Sequence, residues 1–346
     1  MILLLAILIL VSVPIQRANA VELTAPEVTG SAAQYIQKET GDFGSALLDL
    51  ARNVVTSLRP DLKEAAGVCL GLLATVLLVS LIQGLSDGSK KTAILGGTGA
   101  VTATFLLSAN SMIELGKDTV LKLCEYGKLL LPVMTAGLAA QGAAMTSGAL
   151  YAGTAFFIAL LSGLIGKILI PMVYLFIGTS VANCATGESM LKRVGELIKW
   201  VLVWCLKTIV ALFTGYLGLT GIVSGTSEAA VLKAAKTAIS TAVPVVGGAL
   251  SNAAESVLAG AAVAKNAAGI YGILAVLAIF LEPFLKIGIH YLLLKITAAV
   301  NAIFGCKELS GLIADFSEAL GFLLAMTASV CVLLLISSVC YLKGVG

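Results

Sequence analysis

Long apolar stretches alternate with short polar ones along most of the chain, and this pattern predicts several membrane-crossing helices. A helix of about 20 apolar residues crosses the ~30 Å hydrocarbon core of a bilayer. Ala65–Leu85, Trp200–Val223 and Leu320–Tyr341 have that length and are almost wholly apolar. These three segments are therefore predicted to be single spans.

Other apolar stretches are interrupted or too long. Thr92–Leu115 is predicted to be a further span, whereas in Thr119–Ala144 only the later half is compatible with lipid. That half predicts a re-entrant segment or a short span. Leu150–Asn183 exceeds one span and contains Lys167 and Pro171, which predicts a kinked helix or two packed pieces.

The region Ser224–Phe304 leaves the number of crossings open. Glu282-Pro283 lies within a long apolar run, so it marks either the break in one discontinuous helix or an interface between two spans. We expect five to eight spans in residues 65–346. The predicted fold is all-α: a polytopic transmembrane helical bundle with broken or re-entrant helices.

The first residues resemble an export signal. Residues 1–20 combine a short apolar core with a polar stretch ending in Ala18-Asn19-Ala20, which predicts a cleavable signal peptide cut after Ala20. An uncleaved anchor is the alternative. Residues 21–64 are the only extended polar region, and their apolar spacing predicts a short amphipathic helix. We expect this region to be an extracytoplasmic arm lying on the membrane or on a partner.

Composition agrees with a membrane protein. The 346 residues are 59% hydrophobic and 12% charged, whereas soluble domains carry roughly a quarter charged residues. The net charge of +3 is not clustered, so nothing indicates nucleic-acid binding. Lys90 and Lys91 and the segment Gly187–Lys199 are the best candidates for cytoplasmic loops, because such loops are rich in Lys and Arg.

The chain offers little material for catalysis. Its seven cysteines are scattered singly, and His290 is the only histidine, so neither a metal site nor any cofactor is expected. No phosphate-binding loop of the G-x-x-x-x-G-K-[ST] type and no H-E-x-x-H motif is present. We therefore expect a protein that is not an enzyme.

The segment Val246–Asn266 predicts a helix with two unlike faces. One face is apolar, and the other combines small residues with a few polar groups. In lipid, helices associate through small residues and interhelical hydrogen bonds, and a carboxylate must meet protein or water. This second face is therefore a candidate packing or assembly surface; the alternative is an amphipathic helix lying flat on the membrane. The surface comprises Gly248, Asn252, Glu255, Ala259 and Asn266.

A second polar group follows on the next apolar run. Glu282, Lys286 and His290 are spaced i, i+4 and i+8, so they share one face of a continuous helix. They form a candidate intramembrane polar stripe. Its functional interpretation is the lining of an ion or solute path. Its structural interpretation is a neutralised Glu282–Lys286 pair, with His290 hydrogen-bonded to a neighbouring carbonyl group.

Three stretches together resemble a known family. They are "LLLPVMTAGLAAQG", "TAVPVVGGALSNAAESVLAGAAVAKNAAGIYGI" and "EPFLKIGIHYLLLKITAAV", followed by a final apolar helix. The chain resembles the stage III sporulation protein AE family of endospore-forming bacteria, most specifically over Thr241–Ala299.

The resemblance implies a multi-pass protein of the mother-cell membrane around the forespore. It would be a non-enzymatic subunit of a secretion or feeding channel complex connecting the two cells, needed for forespore development after engulfment. Expected partners are other membrane subunits, ring-forming subunits and a separate ATPase subunit. Two alternatives remain: a secondary permease with a solute path lined by the polar stripe, and a structural anchor for ring proteins.

Overall fold

The computed structural model describes residues 26–27, 43–85, 90–140, 144–219, 267–303 and 306–343. The described residues are almost entirely helical, as predicted. The predicted signal peptide with its cleavage after Ala20 lies outside them, and so do Gly248, Asn252, Glu255, Ala259 and Asn266. The helices are α1 (Phe43–Ser57), α2 (Arg59–Leu85), α3 (Lys90–Ala140), α4 (Ala144–Leu164), α5 (Ile170–Thr186), α6 (Ser189–Leu219), α7 (Ala267–Ile303) and α8 (Lys307–Lys343).

The amphipathic pattern before the first span forms α1. Leu50 and Val54 are buried on its inner side, while Leu48 and Val55 are exposed. The inner side packs against α7. Only a bend at Leu58 separates α1 from α2.

Helix α3 corrects the prediction of two separate elements at Thr92–Leu115 and Thr119–Ala144. It is one helix of 51 residues, about 76 Å long, and it contains Pro132. The charges near its middle interrupt the apolar pattern but not the helix, because an exposed charge does not oppose helical backbone geometry. No re-entrant segment is found among the described residues.

The interruption predicted at Lys167 and Pro171 is present. A π-helical turn, Ile165–Leu169, separates α4 from α5, and Pro171 lies in the first turn of α5. Proline lacks an N–H donor and disturbs the preceding turn, which accounts for the wider turn at this place. The chain then continues as a helix to Gly187, whose φ of 72° ends it.

The pair Glu282-Pro283 does not break the helix in which it lies. Both residues lie inside α7, which is continuous over 37 residues. The helix is therefore neither broken there nor divided into two spans, and both predicted alternatives are wrong. A proline is tolerated inside a packed helix because neighbouring helices support the turn that loses its hydrogen bond. Here α1, α2, α3 and α8 all pack on α7.

Helix α8 lies at the centre of the bundle. It packs against α3, α4, α5, α6 and α7. In its most apolar stretch, 83% of the residues are buried inside the bundle. Phe105 of α3 stacks on Phe316 of α8 with ring centroids 3.9 Å apart. Ser317 of α8 donates a hydrogen bond to the Tyr291 carbonyl of α7 at 3.3 Å. Further along α3 and α8, Thr135 donates to the Tyr341 hydroxyl, so α3 runs parallel to α8. Ser310 of α8 donates to the Ala298 carbonyl of α7, so α7 runs antiparallel to it.

Several helix ends meet at one end of the bundle. Gln83 near the end of α2 donates to the Cys306 thiol at 3.8 Å, and Thr98 in α3 contacts the Cys184 thiol of α5 at 3.2 Å. The Cys184 thiol in turn donates to the Glu308 carbonyl of α8 at 3.5 Å. We call this the basic end of the bundle, because it carries Lys90, Lys91, Lys192, Arg193 and Lys307.

Six stretches of helix in the described residues are long and apolar enough to cross a membrane, against the five to eight predicted. Several exceed the ~30 Å hydrocarbon core. Six exposed charges lie on the middle of α3, so this part of the surface faces water or protein rather than lipid. The six stretches are Arg59–Gly84, Lys90–Ala139, Ser147–Thr186, Ser189–Leu217, Tyr271–Ile303 and Lys307–Tyr341. The six charges are Glu114, Lys117, Asp118, Lys122, Glu125 and Lys128.

Candidate functional site

The structure places the three residues of the polar stripe on one side of α7 and adds a partner from α2. Lys286 Nζ lies 3.3 Å from Glu282 Oε1 and 3.5 Å from Asp61 Oδ1. All three side chains are largely buried, with exposed fractions of 27% for Lys286, 16% for Glu282 and 19% for Asp61. One ammonium group is therefore shared by two carboxylates of different helices.

His290 continues the stripe one helical turn further on. It is buried, and its Nδ1 lies 3.4 Å from the Ser108 hydroxyl of α3. The structural interpretation of the stripe expected a carbonyl group as its partner, and the structure provides a hydroxyl. A buried imidazole needs such a partner because leaving it unpaired costs free energy.

Lys286, Glu282 and Asp61 form a group that we call the Lys286 cluster. Its depth in the membrane follows from the lengths of α2 and α7. Lys286 lies 17 residues before Ile303, about 26 Å from the end of α7 at the basic end. Asp61 lies in the first turn of α2, whose other end contacts Cys306 at the basic end. With a hydrocarbon core of ~30 Å starting at the basic end, the cluster lies near the opposite membrane boundary.

Asp61 was not among the residues that the sequence pointed to. Its only local signal is its position in the first turn of a helix, where an acidic side chain is favourable toward the helix dipole. Its partner Lys286 is 225 positions away along the chain. Local pattern does not join two such residues.

A second polar region lies between α5, α6 and α8 near the basic end. It is a cavity of about 600 Å³. Lys199 of α6 and Glu318 of α8 form an ion pair in its wall, 2.6 Å between Nζ and Oε2. Asp315 lies one turn before Glu318, beside the Ser180 hydroxyl of α5.

Sequence reasoning missed this cavity. The sequence assigns Lys192 and Lys199 to a basic loop and predicts that the last span begins at Leu320. In the structure, α6 begins at Ser189 and α8 at Lys307, so these residues lie on helices. The available signal was helical spacing, because Lys192 and Lys199 are seven residues apart and share a face of α6. That these residues face α8 depends on the tertiary fold.

Close helix packing in this bundle uses glycine at specific positions. A Cβ atom at Gly153 of α4 would overlap the ring of Tyr216 on α6, and one at Gly97 of α3 would overlap Val79 of α2 and Leu309 of α8. The Tyr216 hydroxyl donates to the Ala149 carbonyl at 2.7 Å, which fixes the ring over the glycine. Small residues allow backbones to approach in this way in membrane bundles.

In the part of the chain that the structure describes, no group of three or more histidine, cysteine or acidic side chains is arranged to hold a metal ion. The described charged clusters instead combine opposite charges, as neutralised groups in a membrane bundle do.

Long apolar helices, internal ion pairs and glycine-mediated contacts together define a polytopic helical membrane protein. The model of the family described as stage III sporulation protein AE matches residues 31–343, and the chain therefore belongs to this family. The resemblance drawn from the sequence is confirmed.

A curated relative carries the same description. It is the "Stage III sporulation protein AE" of Bacillus subtilis (strain 168), which is 24% identical to this chain over 199 residues. The match covers 56% of this chain and 50% of the relative, so the chain spans about half the length of the curated relative it matches. No solved structure matches the chain.

Proposed function

We propose that this protein is a non-enzymatic integral membrane subunit of a sporulation-specific secretion or feeding channel complex that connects mother cell and forespore. It acts after engulfment, in the mother-cell membrane around the forespore. Its partners are other membrane subunits, ring-forming subunits and a separate ATPase subunit. The observation that carries the proposal is the family match over 31–343 on a chain with six membrane-length helices.

The surface of α3 supports a role within an assembly. Six charged side chains are exposed along its middle, from Glu114 to Lys128, while the outer side of α4 at a similar level exposes Phe156 and Leu160. A charged helix face in a membrane protein must meet water or another protein. The charged face of α3 therefore offers a surface for a partner subunit.

The permease alternative gains no support from the polar stripe. Lys286 is held by Glu282 and Asp61, and His290 by Ser108, so the side chains proposed to line a path are already engaged. The contacts favour the structural interpretation of the stripe.

The proposal is tested by purification from sporulating cells. An affinity-tagged copy, expressed from its own promoter in an endospore-forming host that lacks its native copy, is cross-linked and purified at the engulfment stage. We expect ring-forming and ATPase subunits to co-purify and spore formation to be restored. An equally tagged, unrelated multi-pass protein serves as the control. Recovery of the protein without those partners, in cells that sporulate normally without it, would contradict the proposal.

A further inference from the structure

The cavity between α5, α6 and α8 has the features of a small-molecule binding site. Its volume of about 600 Å³ falls within the range of roughly 300–1,000 Å³ that ligand pockets occupy. Phe176 forms part of its wall, together with the polar side chains of Thr179, Ser180 and Asn183 of α5. Gly195 of α6 and Gly311 of α8 lie opposite and leave the space open.

Charged side chains line the cavity from two sides. One stripe lies on α6 and the other on α8, with helical spacing that directs both into the same space. Among the described residues, Lys199 and Glu318 are the lining charges that form a direct ion pair with each other. The lining charges are Lys192, Glu196 and Lys199 of α6, and Lys307, Glu308, Asp315 and Glu318 of α8.

The remaining charges are separated along the cavity. Within the described part of the chain, Asp315 has the Ser180 hydroxyl beside it but no ion-pair partner within 4 Å. Lys307 lies at the first residue of α8, eight residues before Asp315, which is about 12 Å along the helix. Lys192 lies in the first turn of α6, near the same opening. The opening thus carries the ammonium groups of Lys192 and Lys307 together with the carboxylates of Glu196 and Glu308, whereas Asp315 lies further inside.

We propose that this cavity binds a small zwitterion, with its protonated amine at Asp315 and its acidic group at Lys192 and Lys307. A carboxylate removed from bulk water favours a cation, and a protonated amine can also donate to Ser180. Such a ligand meets Asp315 and the two lysines at once. The site is independent of the sporulation complex and of the polar stripe on α7.

Two kinds of ligand combine a protonated amine with an acidic group. One is a free amine–phosphate or amine–carboxylate molecule, and the other is the headgroup of an aminophospholipid. The cavity lies at the basic end, near a membrane boundary, where both have access. The test therefore separates them.

Binding is measured by calorimetry on the purified full chain in nanodiscs of phosphatidylglycerol. The probes are phosphoethanolamine, which carries both charges, ethanolamine, which carries the amine alone, and inorganic phosphate. We expect phosphoethanolamine to bind at least ten-fold more tightly than either of the others. In nanodiscs containing phosphatidylethanolamine, weaker binding of the probe identifies the lipid headgroup as the occupant, and unchanged binding identifies a free molecule.

Three variants test the residues. Asp315→Asn is expected to weaken phosphoethanolamine binding at least ten-fold. The double variant Lys192→Gln/Lys307→Gln is expected to weaken phosphoethanolamine binding but not ethanolamine binding, and it replaces exposed side chains, so the bundle keeps its fold. Asp118→Asn, an exposed carboxylate of α3 outside the cavity, is the matched control. The proposal is overturned if wild-type protein binds no probe, or if the cavity variants bind like the control.

Discussion

Lys286 in the middle of α7 holds Asp61 in the first turn of α2, with 3.5 Å between Nζ and Oδ1. Glu282 holds the same ammonium group from one turn away on α7. The cluster joins the start of α2, which follows the amphipathic helix α1, to a helix near the centre of the bundle. It therefore fixes the position of the first turn of α2 relative to α7.

Removing the shared cation is expected to destabilise the bundle more than removing either anion. Lys286→Ala leaves two largely buried carboxylates without a counter-ion, at a cost of about 1–2 kcal/mol after allowance for partial exposure. Asp61→Asn leaves the Glu282–Lys286 pair intact and is expected to cost less. Thermal unfolding of the purified protein in detergent measures the order of the two variants.

An exposed lysine provides the control for this comparison. Lys122→Ala on α3 is expected to leave the unfolding temperature unchanged. If Lys286→Ala and Lys122→Ala unfold at the same temperature, the cluster does not stabilise the entry of α2.

The contact of Gly153 with Tyr216 predicts a strong effect of one methyl group. Gly153→Ala places a Cβ atom in the Tyr216 ring, whose hydroxyl is held by the Ala149 carbonyl. We expect a destabilisation of about 1–3 kcal/mol, typical of overpacking. Gly163→Ala in the same helix is the matched control, because nothing lies within 4 Å of a Cβ atom there.

A second substitution distinguishes overpacking from a general effect of alanine. Tyr216→Ala opens the space, so adding Gly153→Ala to it is expected to cost little further stability. Purely additive effects of the two substitutions would contradict the close α4–α6 contact.

The thiol at the turn between α7 and α8 is predicted to react slowly. Cys306 is fully buried, and this burial raises the pKa of its thiol, partly offset by the Leu309 N–H and Gln83. The thiolate is the reactive form, so a raised pKa lowers its fraction at neutral pH and moves labelling to higher pH than for a free thiol.

Maleimide labelling from pH 6.5 to pH 9 measures this behaviour, followed by mass spectrometry of the Cys306 peptide. We expect little labelling at neutral pH, a rise with increasing pH and complete labelling after denaturation. A Lys307→Cys variant, exposed at the adjacent position, is the control and should label readily at neutral pH. Equal labelling of both positions would show that Cys306 is accessible.

The sequence predicted the helical class because lipid selects for long apolar stretches whatever their partners. It also predicted the disturbance near Lys167 and Pro171, where the π-helical turn lies, since proline acts on its own helix. It failed at Lys122 and at Pro283, where α3 and α7 continue. Hydropathy reports the surroundings of a residue, whereas helix continuity depends on backbone hydrogen bonds and on neighbouring helices.

The candidate sites likewise contain a part that local spacing predicts and a part that only the tertiary fold determines. The i, i+4 spacing of Glu282 and Lys286 was sufficient to predict that they share a face, and the structure pairs them. The spacing gave no indication of Asp61 or Ser108, because these partners come from other helices. The cavity at Asp315 and Glu318 was missed for the same reason, since only the tertiary fold brings α6 opposite α8.

We expect a membrane to hold this bundle with its basic end on one side and the middle of α3 on the other. The most direct measurement is side-specific labelling of cysteines introduced at Lys91, Lys192 and Lys122. A membrane-impermeant maleimide is applied to intact, non-sporulating cells that produce the protein and to inverted vesicles. The lysine-rich end favours the cytoplasm. The account therefore predicts that Lys91→Cys and Lys192→Cys label only in inverted vesicles and that Lys122→Cys labels in intact cells. Labelling of Lys91→Cys and Lys192→Cys from opposite sides, or of all three from one side, would contradict it.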